Sequence, residues 1–139
     1  MLFRSCGVGR EQDWGSHHLE HELSALYDCA HGAGLAVILP AWMKFAMEHH
    51  EIDKFVQFAV RVWGCEMDFE NPRATAEESI RRFEEFLKTI GMPTRMGELG
   101  AKEEDIPILV KNMFHNKPNH GAFVKLSEED AAEIFRLGF

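Results

Sequence analysis

Residues 35–47 read LAVILPAWMKFAM, a segment that is apolar on almost every side when wound as a helix. No face of such a helix suits water, so it belongs inside protein. It is either the centre of a bundle built by this chain or is covered by protein outside the chain. The run is too short to span a bilayer, and Pro40, which lacks an amide proton, predicts a new helical turn or a kink.

Outward from this segment the pattern stays helical. On the upstream side, Asp13 or Ser16 can cap a helix through Leu19, Leu23 and Leu26, and Gly32 with Gly34 predicts a break before Leu35. Downstream, Ile52, Phe55, Val56, Ala59 and Trp63 form one stripe that Gly64 can stop. Thr75 and Glu78 have capping-box spacing before a long amphipathic helix, whose expected buried face is Ile80, Phe83, Leu87 and Ile90. Its outer face offers Glu77–Arg81, Glu78–Arg82 and Glu84–Lys88 pairs. Asp105-Ile106-Pro107 suits a further helix start, and Ser127 with Asp130 opens the last. The periodicity predicts six helices near residues 14–29, 35–47, 51–63, 75–90, 104–115 and 128–137. FVKL at 123–126 reads as extended chain. The fold class is therefore all-α, a six-helix bundle-like domain over residues 13–139 behind a lead-in segment, 1–12, which looks truncated.

Charge and composition narrow the function. The 139 residues carry 15 Lys+Arg against 23 Asp+Glu, a net charge of -8. That balance excludes the usual duplex nucleic-acid binder, which neutralises phosphates with cationic side chains. Three widely spaced cysteines do not make a disulfide scaffold, and residues 1–15 lack the apolar run of a signal peptide. No membrane partner is expected, and the cytoplasm is the simplest compartment.

Eight histidines are many for this length, and four of them lie between positions 17 and 31. His17 and His21, four residues apart on one helix, point the same way. With His31 they form the pattern HxxxHxxxxxxxxxH. Imidazole pairs at this spacing suit a divalent metal, but the spacing alone leaves metal binding and ordinary polar histidines equally open. His18 points away from His17, towards solvent or behind the site. His49, His50, His115 and His120 fall at helix ends or in a turn and receive no chemical role.

The stretch DWGSHHLEHELSALYDCAHGAGLAVILPAWMKF, Asp13–Phe45, resembles the metal-site region of the iron-containing alcohol dehydrogenases. Its EHELSALYD and HGAGLAV pieces, Glu20–Asp28 and His31–Val37, look most like the butanol dehydrogenase branch. The likeness continues through VRVWG (Val60–Gly64), IGMPTRMGELG (Ile90–Gly100) and FVKLSEEDAAEIFRL (Phe123–Leu137), and so covers nearly the whole chain beyond about Gly9.

The resemblance implies the helical C-terminal domain of a dehydroquinate synthase-like fold, whose nucleotide-binding N-terminal domain is missing here and would be its partner. It implies an NAD(P)-linked, metal-dependent alcohol dehydrogenase or aldehyde reductase acting on a small alcohol or aldehyde. His17 and His31 take the positions of two ligands to Fe2+ or Zn2+; an aspartate and a further histidine would come from upstream. His21 takes a position beside metal and nicotinamide, where it would orient substrate or relay a proton. Glu20, Glu22 and Asp28 are the acceptors available to fix the metal-binding rings. NAD(P)H and a homodimer belong to the intact parent, and the fragment alone is expected to be inactive. Two other readings stay open: a non-catalytic helical interaction domain, and a small helical metal-binding protein complete in itself.

Overall fold

The computed structural model describes residues 11–115 and 118–139. The expected lead-in, 1–12, lies outside these but for its last two residues, as do residues 116 and 117 of the turn expected around His115–Gly121. Six α-helices form among the described residues: α1 Gly15–Tyr27, α2 His31–His49, α3 Asp53–Trp63, α4 Pro72–Thr89, α5 Ile106–His115 and α6 Glu128–Leu137. Two 3-10 turns, Met96–Leu99 and Glu103–Asp105, lead into α5. The only pairing of extended backbone among the described residues is an isolated antiparallel bridge between His120 and Leu126.

The apolar segment is the centre of this chain's own bundle. α2 packs against α1, α4 and α6, while α3 pairs with α4 and α5 with α1 and α6. Val37, Ile38, Ala41, Phe45 and Ala46 are sealed from water, together with Leu19 and Leu23 of α1 and Ile134 and Phe135 of α6. Removing that surface from water is the main favourable term holding the bundle together. Pro40 does not start a new helix. It sits within a continuous nineteen-residue α2.

Two helix starts differ from the sequence reading. α2 begins at His31, so Gly32 and Gly34 lie inside it, and the break falls instead at Asp28–Ala30. Asp28 adopts the left-handed conformation (φ 51°), and its amide closes α1 on the Ser24 carbonyl. Gly34 is helical because of what it faces: a Cβ there would meet Glu20 Cγ at 2.7 Å. The glycine marks close contact between α1 and α2, which competes with its weak helix propensity and wins.

α4 likewise starts three residues early. Asn71 accepts the Ala74 amide and Pro72 occupies the first turn, where a missing N–H costs nothing. Thr75 is therefore not a cap; its hydroxyl donates to the Glu66 carbonyl and accepts from the Asp68 amide. Of the expected surface pairs only Glu78–Arg82 forms. Arg81 instead joins Glu78 and Glu85, Arg73 takes Glu77, and Lys44 takes Glu84. Ile90, expected in the core, is 54% exposed because it follows the last turn of α4. Ser127 and Asp130 do form the expected capping box of α6.

Phe135→Ala removes a fully buried ring at the α6 contact and should cost about 3–5 kcal/mol, a large share of a small domain's stability. Ile90→Ala should change stability by no more than about 0.5 kcal/mol. Urea denaturation of both variants checks the pair. A large loss on Ile90→Ala would place α4 wrongly in the core.

Candidate metal centre

His17 and His21 project from the first two turns of α1, and His31 is the first residue of α2. The three-residue link Asp28–Ala30 turns the chain back so that His31 meets α1. The ring centroids of His17 and His31 are 5.4 Å apart, those of His21 and His31 5.5 Å, and those of His17 and His21 6.5 Å. All three histidines read from the sequence therefore converge. His21 and His31 face solvent, with His31 49% exposed, and Trp14 stands edge-on to His17 at 5.0 Å.

The donor set suits a divalent cation. One donor atom each from Glu20, His21 and His31 can be chosen so that all lie within 4.8 Å of one another. Nδ1 of His17 is buried without a hydrogen-bond partner. Burial, then the neighbouring positive charge of His31 and His21, pushes His17 below the usual imidazole range, against the opposing pull of Glu20. That favours its neutral form, the form a metal ligand requires.

Glu20 is the buried acid of the site. Its side chain is sealed from water; Oε1 accepts the Ser24 hydroxyl, and Oε2 lies in ion-pair contact with Nδ1 of His31. Of the three acids open to this role, Glu20 alone makes that contact. Burial pushes the Glu22 carboxyl up, partly opposed by His21 and His120.

Two further residues tie the site to the far end of the chain. Asp13 is the helix-entry residue expected, but it does more. Oδ1 accepts the Gly15 amide at 2.6 Å, and Oδ2 accepts the amides of Ala122 and Phe123, each at 2.6 Å. His120, assigned no role in the sequence, is buried. Its Nε2 lies 3.0 Å from the Met113 carbonyl and its Nδ1 2.9 Å from Nδ1 of His18. Since a carbonyl only accepts, Nε2 of His120 carries the proton, and in the neutral pair His18 donates to His120. His18 thus lies behind the site, as one of its two expected placements had it. No local signal could reveal a partner about a hundred residues away.

A groove of about 880 Å³ is lined by Trp42, Phe55, Phe58, Trp63, Phe83 and Phe123 among others, and by none of the three clustered histidines. Its walls are aromatic, and we attach no chemistry to it. Among the described residues no helix is long and apolar enough to cross a membrane.

With this geometry in place, comparison with known proteins assigns the class. A profile described as "Fe-containing alcohol dehydrogenase family, C-terminal" matches residues 4–138. The chain belongs to the iron-containing alcohol dehydrogenase family and corresponds to its C-terminal domain. It is 32% identical over 133 residues to the NADH-dependent butanol dehydrogenase A of Clostridium acetobutylicum, covering 95% of this chain and 34% of that protein. It is 33% identical over 107 residues to the NADPH-dependent aldehyde reductase YqhD of Escherichia coli, covering 77% of this chain and 27% of that protein. The crystal structure of NADH-dependent butanol dehydrogenase A from Thermotoga maritima superposes with a TM-score of 0.88 at 36% identity, over 99% of this chain and 36% of that one. The chain thus spans about a third of the length of these relatives, and the all-helical expectation holds.

The lowered pKa of His17 makes a pH prediction. Unfolded, this group titrates near 6.5; folded, it titrates lower, so the unfolded chain takes up the proton first. His17 should have no effect on stability above that pH and should reduce it progressively as pH falls through 6.5. His17→Gln should flatten this part of the profile, measured as urea midpoints between about pH 7.5 and 5.5. A profile unchanged by the substitution would remove His17 from the cluster's electrostatics.

Proposed function

We propose that this chain is the metal-site half of an NAD(P)-linked alcohol dehydrogenase or aldehyde reductase of the butanol dehydrogenase type, acting on small alcohols and aldehydes. The observation that carries the reading is the convergence of His17, His21 and His31 at one solvent-facing point, in a chain whose relatives are NADH- and NADPH-dependent enzymes of this class. His17 and His31 would hold the ion. Their neutral imidazole nitrogens suit iron and zinc alike, and a firm site needs further protein ligands, which an upstream nucleotide-binding domain would contribute. A bound ion would supply Lewis-acid polarisation of the substrate carbonyl, and a nicotinamide cofactor the hydride chemistry.

The rest is done by side chains of this chain. His21, exposed and one turn from His17, is placed to exchange a proton with the substrate oxygen, which its imidazole can do near neutral pH. Asp13 and the His18–His120 pair hold the start of α1 against the 118–123 segment and so fix where His17 and His21 point. Catalysis of this kind requires carbonyl, hydride donor and metal in one closed cleft, and the relatives devote the other two thirds of their length to the remainder of the protein. A homodimer and a cytoplasmic location belong to the same reading of the full-length protein. A second reading, a metal protein complete in 139 residues, draws on the Glu20, His21 and His31 donor cluster.

The test pairs metal analysis with NAD(P)H oxidation against a short aldehyde, for this chain and for a version extended upstream to its relatives' length. The extended protein should hold one ion and turn over, losing both on His17→Ala or His31→Ala. The short chain should hold metal weakly and show no turnover. Aldehyde reduction by the short chain would refute the half-enzyme reading, and tight stoichiometric zinc binding by it would favour the second one. An extended protein indifferent to both substitutions would overturn the ligand assignment.

A further inference from the structure

We propose that Glu20 is a positioning residue that selects the tautomer of His31, so that Nδ1 carries the proton and Nε2 presents its lone pair for metal binding. The inference rests on the reading of His31 as a ligand and adds the residue that prepares it. Glu20 itself is not a ligand in this arrangement. It is fully buried, and both of its oxygens are engaged, Oε1 by Ser24 and Oε2 by His31.

Glu20 is buried although the His31 ring beside it is half exposed, and two acceptors set against each other there repel. Oε2 is in contact with Nδ1 of His31 and has no other aligned donor among the described residues, so a deprotonated Nδ1 would set a lone pair against a carboxylate. A proton on Nδ1 turns that repulsion into a charge-assisted contact. In a neutral imidazole the other nitrogen is then the acceptor. Carboxylates behind metal-binding histidines act in this way, fixing the ring and raising the basicity of its free nitrogen.

Glu20 is held in this pose from both helices. Ser24, one turn further along α1, donates to Oε1. On α2, Gly34 leaves the space the side chain occupies, since a Cβ there would stand 2.7 Å from Cγ and 3.0 Å from Cδ of Glu20. The carboxylate oxygen Oε1 stands closer still, so Gly34→Ala must push the carboxylate aside, and the contact at Cγ means that the stem of the side chain has to move with it. The glycine and the glutamate thus make one unit: the first residue of α2 is the ring being oriented, and its fourth makes room for the group that orients it.

Nitrogen-15 spectra of the histidine rings, recorded on the metal-free chain at mildly alkaline pH, read the tautomer directly. His31 should be Nδ1–H in the wild type. Glu20→Ala and Gly34→Ala should each move it towards the Nε2–H form that free imidazole side chains prefer, leaving His21 unchanged. Co2+ affinity should fall about 10–100-fold in both variants, with an altered visible spectrum. A wild-type His31 found as Nε2–H overturns the proposal without need of any variant. A folded Glu20→Ala protein whose His31 keeps its tautomer does so too. Normal tautomer behaviour combined with no Co2+ binding to any form, extended protein included, would count against the metal reading and leave the role of Glu20 intact.

Discussion

An all-apolar helix can exist in water only if other helices enclose it, and that constraint orders this domain. α2 has no side to spare, so α1, α4 and α6 are recruited around it. The histidine cluster follows from the same requirement. α1 must lie against the first turns of α2, and His31 is the first residue there. The site is built where the first turn of α2 leaves the core and the His31 ring can reach solvent. Burial of Ile38, Phe45 and Phe135 thus fixes the position of groups that never enter the core themselves.

The number and order of helices were legible because most carry an apolar stripe of helical period and α2 is apolar almost throughout, and the cap of α6 was legible because Ser127 and Asp130 form a local motif. Helix starts were less so where a tertiary contact outweighs local propensity. Gly34 reads as a breaker in the sequence, yet the Glu20 side chain beside it makes a glycine the residue that fits. Thr75 reads as a cap, but Pro72 and Asn71 begin the helix sooner and leave its hydroxyl to brace the preceding connection. The convergence of His17, His21 and His31 was legible from spacing and family likeness together. What was not legible is the shell around them. Glu20 was one acid among three, and His120 was a turn residue, because the contacts that distinguish them cross between elements.

The site joins two kinds of electrostatic environment at short range. Glu20 is an acid sealed in the core, with Ser24 donating to one oxygen and the His31 ring against the other, whereas His21 is open to water. His17 lies between these extremes, partly buried and flanked by other imidazoles, which favours its neutral form. On the reading proposed above, an entering cation would meet in His17 an imidazole whose neutral form is favoured and, behind His31, a buried carboxyl group. The helical domain would then contribute orientation as well as ligands.

Asp13 binds the amides of Ala122 and Phe123, and His18 meets His120, so the start of α1 is anchored to backbone more than a hundred residues later. Contacts of such long sequence separation carry a loop-closure cost that the neighbouring pair α1 and α2 does not meet. The two helices can therefore pair as a local unit, whereas the outer brace on the imidazoles exists only once the 118–123 segment has been brought back against Asp13 and His18. The orientation of the histidine rings is thus a property of the whole folded domain, not of the two helices that carry them.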